Sequence, residues 1–485
     1  MGLLLDYISR EINEKEDKES SPLHWASRRG DLEEVKCLLE SGKNIEEKNV
    51  KGFTPLHLAS WFGHLQLVQL LLQKGANVEE KTVTYLAEHL TALHCAASNG
   101  QLKIVKCLVQ QNANINDKNK YNETPLHFAS VGGHIAIVEF LVEKGADIIA
   151  KDYKGQTSLY GASSEGHFDI VKFLVEQEAD INASNKYNET PLHCASSKGH
   201  FDIVKFLVEH KADINTCNNN GETPLHCASS KSHFDVVKFL VENKADIKTS
   251  NNNGETPLLV AFSKDYDDDI HKGIDLIENG ADINAKDTDG NTPLHQVFKE
   301  YENCDLRIVN ILVKKGADVN SKNNNGTTPF HLASCFGSLK TVKLLFKHNA
   351  DINTKDKKGQ TPLHLSSGRG NFRNVKFLLE QKVDVNTMDT YGQTPLHKAC
   401  KLQFLYIVQY YTKLCLKIVR YLLEHGADRG VNDKDGKTPF DLVPLDRKVK
   451  VDEYLEKPTF SDSDSASDSE EDSDSDTEAD ALMCN

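Results

Sequence analysis

The chain has 485 residues and a formal charge of −15, from 57 Lys and Arg against 72 Asp and Glu. That length lies beyond the ~250–300 residues at which one hydrophobic core stops growing, so it excludes a single globular domain and leaves several domains or a repeat array. Ten of the acids fall within 461–480, a stretch without Lys or Arg; the remainder carries 57 minus 62, or −5, and lacks the basic excess of a general nucleic-acid binder.

Eleven cysteines, with no Cys-x-x-Cys pair among them, exclude a disulfide scaffold, a zinc ribbon and a thioredoxin-like site. The thiols read as reduced, which predicts an intracellular location, cytoplasmic with the nucleus as a second compartment. At the N-terminus three consecutive leucines with no basic residue before them do not make an export signal. Asp6 stands where a myristoylation motif at Gly2 needs Ser or Thr. Leu3, Leu4, Tyr7, Ile8 and Ile12 are spaced as one face of a helix, and residues 1–19 are expected to form an N-terminal capping helix.

From residue 20 a tetrad, Thr-Pro-Leu-His or a near variant, recurs. Its fourth residue is His24, His57, His94, His127, Tyr160, His193, His226, Leu259, His295, His331, His364, His397 and Asp441. Most intervals are 33 residues, with 37 before His94, 36 on either side of His295 and 44 before Asp441. Each unit makes physical sense. Thr54 caps a helix and Pro55 suits its first turn, where no amide partner is needed. Leu56 and Ala59 share one face of that helix, and Gly63-His64 breaks it. Leu67, Val68, Leu71 and Leu72 form the stripe of a second helix, which Gly75 ends in a left-handed turn. The residue two before the tetrad Thr is Gly52, Gly155, Gly221, Gly254, Gly290, Gly326, Gly359, Gly392 or Gly436, replaced by Asn122, Asn188 and, inside a four-residue insertion, His89. Gly and Asn tolerate positive φ, so a tight turn is predicted there.

This period with this tetrad resembles the ankyrin repeat over residues 20–456. The resemblance implies an all-α solenoid of helix–turn–helix units joined by hairpins, with 12 full repeats and a degenerate C-terminal cap around Phe440, Leu442, Val443, Leu445 and Tyr454. It also implies that hairpin tips and inner helices line a concave groove that binds protein partners, and that the tetrad histidines hydrogen-bond locally. Consecutive tetrads lie a whole layer apart, too far to share one metal ion at ~2 Å bonds. His64, His134, His167, His200 and His233 take the same structural reading. Cys95, Cys194 and Cys227 sit beside the tetrad as small packing residues. The cluster Asp265, Asp267, Asp268 and Asp269 lacks the spacing of a calcium loop. No catalytic motif is present, and the segments flanking the repeats are too short for a catalytic domain, so neither an enzyme nor a cofactor is expected.

Some hairpin tips are uniform and polar, such as Asn218-Asn219-Asn220, Asn251-Asn252-Asn253 and Asn323-Asn324-Asn325; others carry an aromatic, Phe53, Tyr121, Tyr153, Tyr187 or Tyr391. Aromatics anchor interfaces at low entropic cost, and these are candidate contacts beside the alternative of packing between hairpins. Near the end, Leu405-Tyr406-Ile407-Val408-Gln409-Tyr410 is echoed eleven residues later by Leu416-Lys417-Ile418-Val419-Arg420-Tyr421. Eleven residues are about three helical turns, which predicts one lengthened helix presenting Phe404, Tyr406, Tyr410 and Tyr411. The stretch 402–423 is too often interrupted by Gln, Lys and Arg to span a bilayer.

The tail, 457–485, is low in apolar residues and is expected to stay disordered. Ser461, Ser465, Ser467, Ser469, Ser473, Ser475 and Thr477 each precede an acid by three residues, which resembles the preference of acidophilic, casein-kinase-type enzymes. The sequence thus reads as a monomeric, non-catalytic scaffold or adaptor that binds one or more proteins, with a tail that meets basic proteins or an acidophilic kinase. A targeting subunit of an enzyme such as a phosphatase and a host-directed effector remain the rival readings.

Overall fold

The computed structural model describes residues 20–83, 89–263, 273–298, 306–401 and 410–443. The expected cap over 1–19, the acidic cluster at 265–269, Phe404, Tyr406, Leu445, Tyr454 and the tail with its seven candidate phosphorylation residues lie outside them. The described residues contain 24 α-helices, no strand, and a closing 3₁₀ turn at Pro439–Leu442. Two compact units are formed, one through Gln296 and one from Val297.

The unit around Pro55–Phe62 and Leu65–Gln73 shows why the sequence folds this way. The Thr54 hydroxyl accepts the His57 amide, while His57 Nδ1 accepts the Thr54 amide at 3.2 Å, so the two side chains satisfy each other's orphan donors at the helix start. Pro55 occupies the first turn, and Gly63 leaves the helix at φ 87°. Leu56, Ala59, Leu67, Val68 and Leu71 are all buried, and together with their equivalents up to Leu276 they form one continuous core in the first unit. In the second unit the same register buries Val309, Leu345, Leu378 and Leu422. A single pair of helices has no other means of removing both stripes from water; the layers exist because they are stacked.

The expected turns are present. Asn122 and Asn188 take φ values of 59° and 58°, and His89 takes 61°. At the longer hairpin before His94, the Thr82 amide donates to Leu90 O at 3.0 Å and Leu90 N donates to the Thr82 hydroxyl at 2.8 Å, so the insertion is closed at its base. The helix that ends at Glu424 starts at Tyr410 and has 15 residues, against nine for the second helices Leu32–Glu40 or Phe372–Glu380. Its last nine residues, Leu416–Glu424, occupy the ordinary register; the remainder of the duplicated stretch, 402–409, lies outside the described residues. The 3₁₀ turn Pro439–Leu442 replaces an α-helix in the last unit, with Asp441 Oδ2 accepting from the Thr438 amide and hydroxyl at 3.0 and 2.7 Å.

Gly221 sits at φ 76°, where an added Cβ would come within 3.0 Å of the Asn252 backbone nitrogen. Gly221→Val is therefore expected to cost roughly 2–3 kcal/mol, read as a lower urea midpoint; an unchanged midpoint would contradict the turn. Deleting 402–412 restores a 33-residue spacing between His397 and Asp441 and is expected to leave helical content per residue and cooperative unfolding intact by circular dichroism. Loss of the cooperative transition would show that the insertion is required for folding.

Candidate protein-binding surface

Two sets of histidines lock successive repeats together and so set where the hairpin tips stand. The tetrad histidines reach forward. Nε2 donates to the carbonyl just before the next tetrad, from His57 to Leu90 O at 2.9 Å, His193 to Glu222 O at 3.1 Å and His364 to Gln393 O at 3.0 Å. Because Nδ1 accepts from the capping threonine, this network needs the neutral Nε2–H tautomer. Burial pushes these rings well below the usual 6.5, to about 4 for His57, His94 and His364. The second set reaches back: His64 to Arg28 O at 2.8 Å, His167 to Val131 O at 2.9 Å and His233 to Ser197 O at 3.1 Å. A Cβ on Gly199 would collide with the His233 ring. In the second unit Asn371 takes this place, donating to Gly337 O at 3.3 Å.

Tyr160, in a tetrad histidine's position, sends its hydroxyl to Glu189 Oε2 at 3.0 Å and so still ties one hairpin to the next. Cys95 and Cys194 are buried, and burial pushes both thiols up, away from the reactive thiolate form. Cys227 is half-buried. Among the described residues no group of three or more His, Cys, Asp or Glu side chains is placed to hold a metal. No described helix is long and apolar enough to cross a membrane.

The tips themselves are hydrogen-bonded in series. Tyr153 N donates to Tyr121 O at 2.7 Å, Lys186 N to Lys154 O at 2.8 Å and Asn219 N to Tyr187 O at 2.8 Å, which fixes consecutive hairpins edge to edge. Within each tip the Asn or Asp side chain closes the turn, as where Asn185 Oδ1 accepts the amides of Tyr187 and Glu189 at 2.8 and 3.0 Å. On this rigid edge the Tyr121 and Tyr153 rings lie 5.1 Å apart, with Lys154 Nζ 5.5 Å from the Tyr153 ring. Tyr153 is 43% exposed and Tyr187 56%. Tyr391, on its own tip in the second unit, is 57% exposed.

Phe53 departs from the expectation that groups it with these tyrosines. It is 2% exposed, and its ring packs edge-on against His57. It comes directly after the turn residue, where Leu90, Glu123, Asn291 and Gln393 are also buried while Gln156, Glu189, Glu222 and Glu255 are half-buried and Lys437 is exposed. The burial of Phe53 thus comes from its apolar ring as well as from its place in the turn. Tyr410 and Tyr411 open the 15-residue helix.

A polar pocket of about 470 Å³ in the second unit has no counterpart among the sequence expectations. Lys358, Lys398, Lys401 and Lys434 line it around Tyr391. Behind them Asp389 accepts the Lys398 ammonium at 2.7 Å and the Tyr391 and Gln393 amides at 2.8 and 2.9 Å. Burial alone would raise the Asp389 carboxyl; these donors outweigh it and hold the group below its ordinary value. None of these lysines stands out by type; only comparing each repeat with its neighbours position by position would single them out.

Models of ankyrin repeats in three copies match residues 2–82, 80–152, 150–218, 270–356 and 351–433, and a model of ankyrin repeats in many copies matches 198–241 and 225–266. The chain belongs to the ankyrin-repeat family, whose repeats are generally protein–protein interaction modules. No curated protein matched it.

The buried histidines make stability depend on pH. Unfolded, each takes a proton near pH 6.5; folded, His57, His94 and His364 refuse it until about pH 4. Stability is thus fully kept above pH 6.5 and lost as pH falls from there towards 4, by up to about 1.4 kcal/mol per unit for each such ring. A urea midpoint clearly lower at pH 5 than at pH 7.5 is expected, with a smaller pH difference in His364→Gln. Equal midpoints at the two pH values would contradict the neutral, buried assignment.

Proposed function

We propose that this protein is a non-catalytic scaffold or adaptor that grips partner proteins along its hairpin tips and the neighbouring first helices. The observation that carries this reading is the tyrosine edge of the first unit: Tyr121, Tyr153 and Tyr187 occupy consecutive tips whose backbones are bonded to one another. The Tyr121 and Tyr153 rings pack against each other, and Tyr153 and Tyr187 stay exposed to solvent. A surface already ordered before binding loses little conformational entropy on association, and tyrosine offers a large contact area with few rotors. Lys120 and Lys154, whose ammonium groups lie 5.9 and 5.5 Å from the Tyr121 and Tyr153 rings, favour partners with carboxylates at the rim of the contact. The exposed free thiols Cys37 and Cys217 support an intracellular setting, since reducing compartments keep such groups unpaired. A monomer acting in the cytoplasm and nucleus completes the reading.

The test is affinity capture with the wild-type chain and with Tyr121→Ala/Tyr153→Ala/Tyr187→Ala. The variant is expected to melt within about 2 °C of wild type, because Tyr153 and Tyr187 are exposed and half-buried Tyr121 lies outside the hydrophobic core. Partners held by the tyrosine edge are expected to bind at least ~10-fold more weakly, the equivalent of about 1.4 kcal/mol. Capture of the same partners with unchanged affinity would refute the assignment of this edge.

A further inference from the structure

The lysine-lined pocket of the second unit has a charge balance that the fold itself leaves open. Asp389 is consumed by Lys398 and two amides. Asp433 accepts the Asp435 and Lys437 amides at 3.0 Å each and Gln393 Nε2 at 3.1 Å. The ammonium groups of Lys358, Lys401 and Lys434 are exposed and have no carboxylate within ion-pair distance among the described residues. Asp435 is the one exposed carboxylate of the lining. Three unpaired cations around a cavity of about 470 Å³ favour an extended polyanionic segment with small side chains over an apolar ligand.

The chain carries such a segment. Residues 461–480 hold ten Asp and Glu, no Lys or Arg, and otherwise mostly serine. Seventeen residues, 444–460, separate it from Val443, a length that spans up to about 55–60 Å when extended. Asp433, Lys434 and Asp435 lie ten residues or fewer before Val443, so the pocket is well within reach. Tethering gives the segment an effective concentration on the order of mM, which a free acidic peptide of a partner must exceed to displace it.

We infer that the pocket formed by Lys358, Lys401 and Lys434 around Tyr391 binds the chain's own acidic segment, residues 461–480, through ionic contacts between these ammonium groups and its carboxylates. The tail then covers the tip that bears Tyr391 and competes with any partner that uses it. This contact goes beyond the scaffold reading: it does not depend on the tyrosine edge of the first unit.

Nuclear magnetic resonance of the full chain tests it through the backbone amide signals of 461–480. At about 25 mM salt, where screening is weak, these signals are expected to be broadened by contact with the repeats. They are expected to sharpen at about 0.5 M salt, where the Debye length falls to a few ångströms. They should also sharpen at low salt in Lys358→Glu/Lys401→Glu/Lys434→Glu, but not in Lys172→Glu/Lys205→Glu/Lys238→Glu, which makes the same charge change on exposed second-helix positions. Thermal melting checks that both variants fold; if the first does not, Lys401→Gln with a salt titration supplies the test, with sharpening at a lower salt concentration than in wild type. Sharp tail signals in the wild-type chain at low salt would overturn the inference. So would broadening that survives the pocket substitutions, or broadening that grows with protein concentration, which would place the contact between two copies.

Discussion

A helix of eight residues followed by one of nine presents an apolar stripe on both of its broad sides, so Leu56, Ala59, Leu67 and Leu71 leave water only when another such pair is laid against them. This nearest-neighbour burial is the constraint on which the remaining features rest. It makes the repeat, rather than the domain, the unit that recurs along the chain. It also makes the spacing between layers uniform, and uniform spacing is what allows one histidine position to serve the same carbonyl in layer after layer. Hydrophobic burial brings the layers together without fixing their register, being non-directional; the hydrogen bonds supply the direction.

The two histidine sets divide that task. The tetrad rings tie each first helix forward to the next hairpin, and rings such as His167 and His233 tie each second helix back to the carbonyl end of the preceding first helix. Both are possible because each helix end leaves unpaired carbonyls or amides, and because glycine at the exit, as at Gly199, leaves room for the neighbour's ring. A separate set of backbone bonds, such as Tyr153 N to Tyr121 O, then holds the tips in series. Ordering of the hairpin edge is therefore a by-product of folding.

The two units present different surfaces on this common frame. The first offers tyrosines on adjoining tips, and the second a polar pocket in which lysines outnumber the carboxylates left exposed. Neither feature takes part in the core, which is why repeats can change them without loss of the fold. A basic pocket and an acidic tail within one chain couple the surface to ionic strength and to any modification that alters the tail's charge.

The fold is legible in the sequence because its causes are local and periodic. The 33-residue interval, the capping Thr-Pro pair and the stripe at Leu67, Val68 and Leu71 are properties of neighbouring residues. The positive φ at Asn122 and Asn188 comes from the turn alone, without reference to the rest of the chain. Phe53 is the exception. A tip looks uniformly exposed in the sequence, although the residue after the turn is drawn at least partly inward in most repeats, and a phenylalanine there goes fully into the core. The pocket is not legible at all. Lys358, Lys398 and Lys434 belong to successive repeats at unlike positions, so no period or motif marks them. Sequence determined the layer, since a layer is made by residues close in the chain; only stacking decided the site, since an electrostatic pocket is made by residues that come together when layers meet.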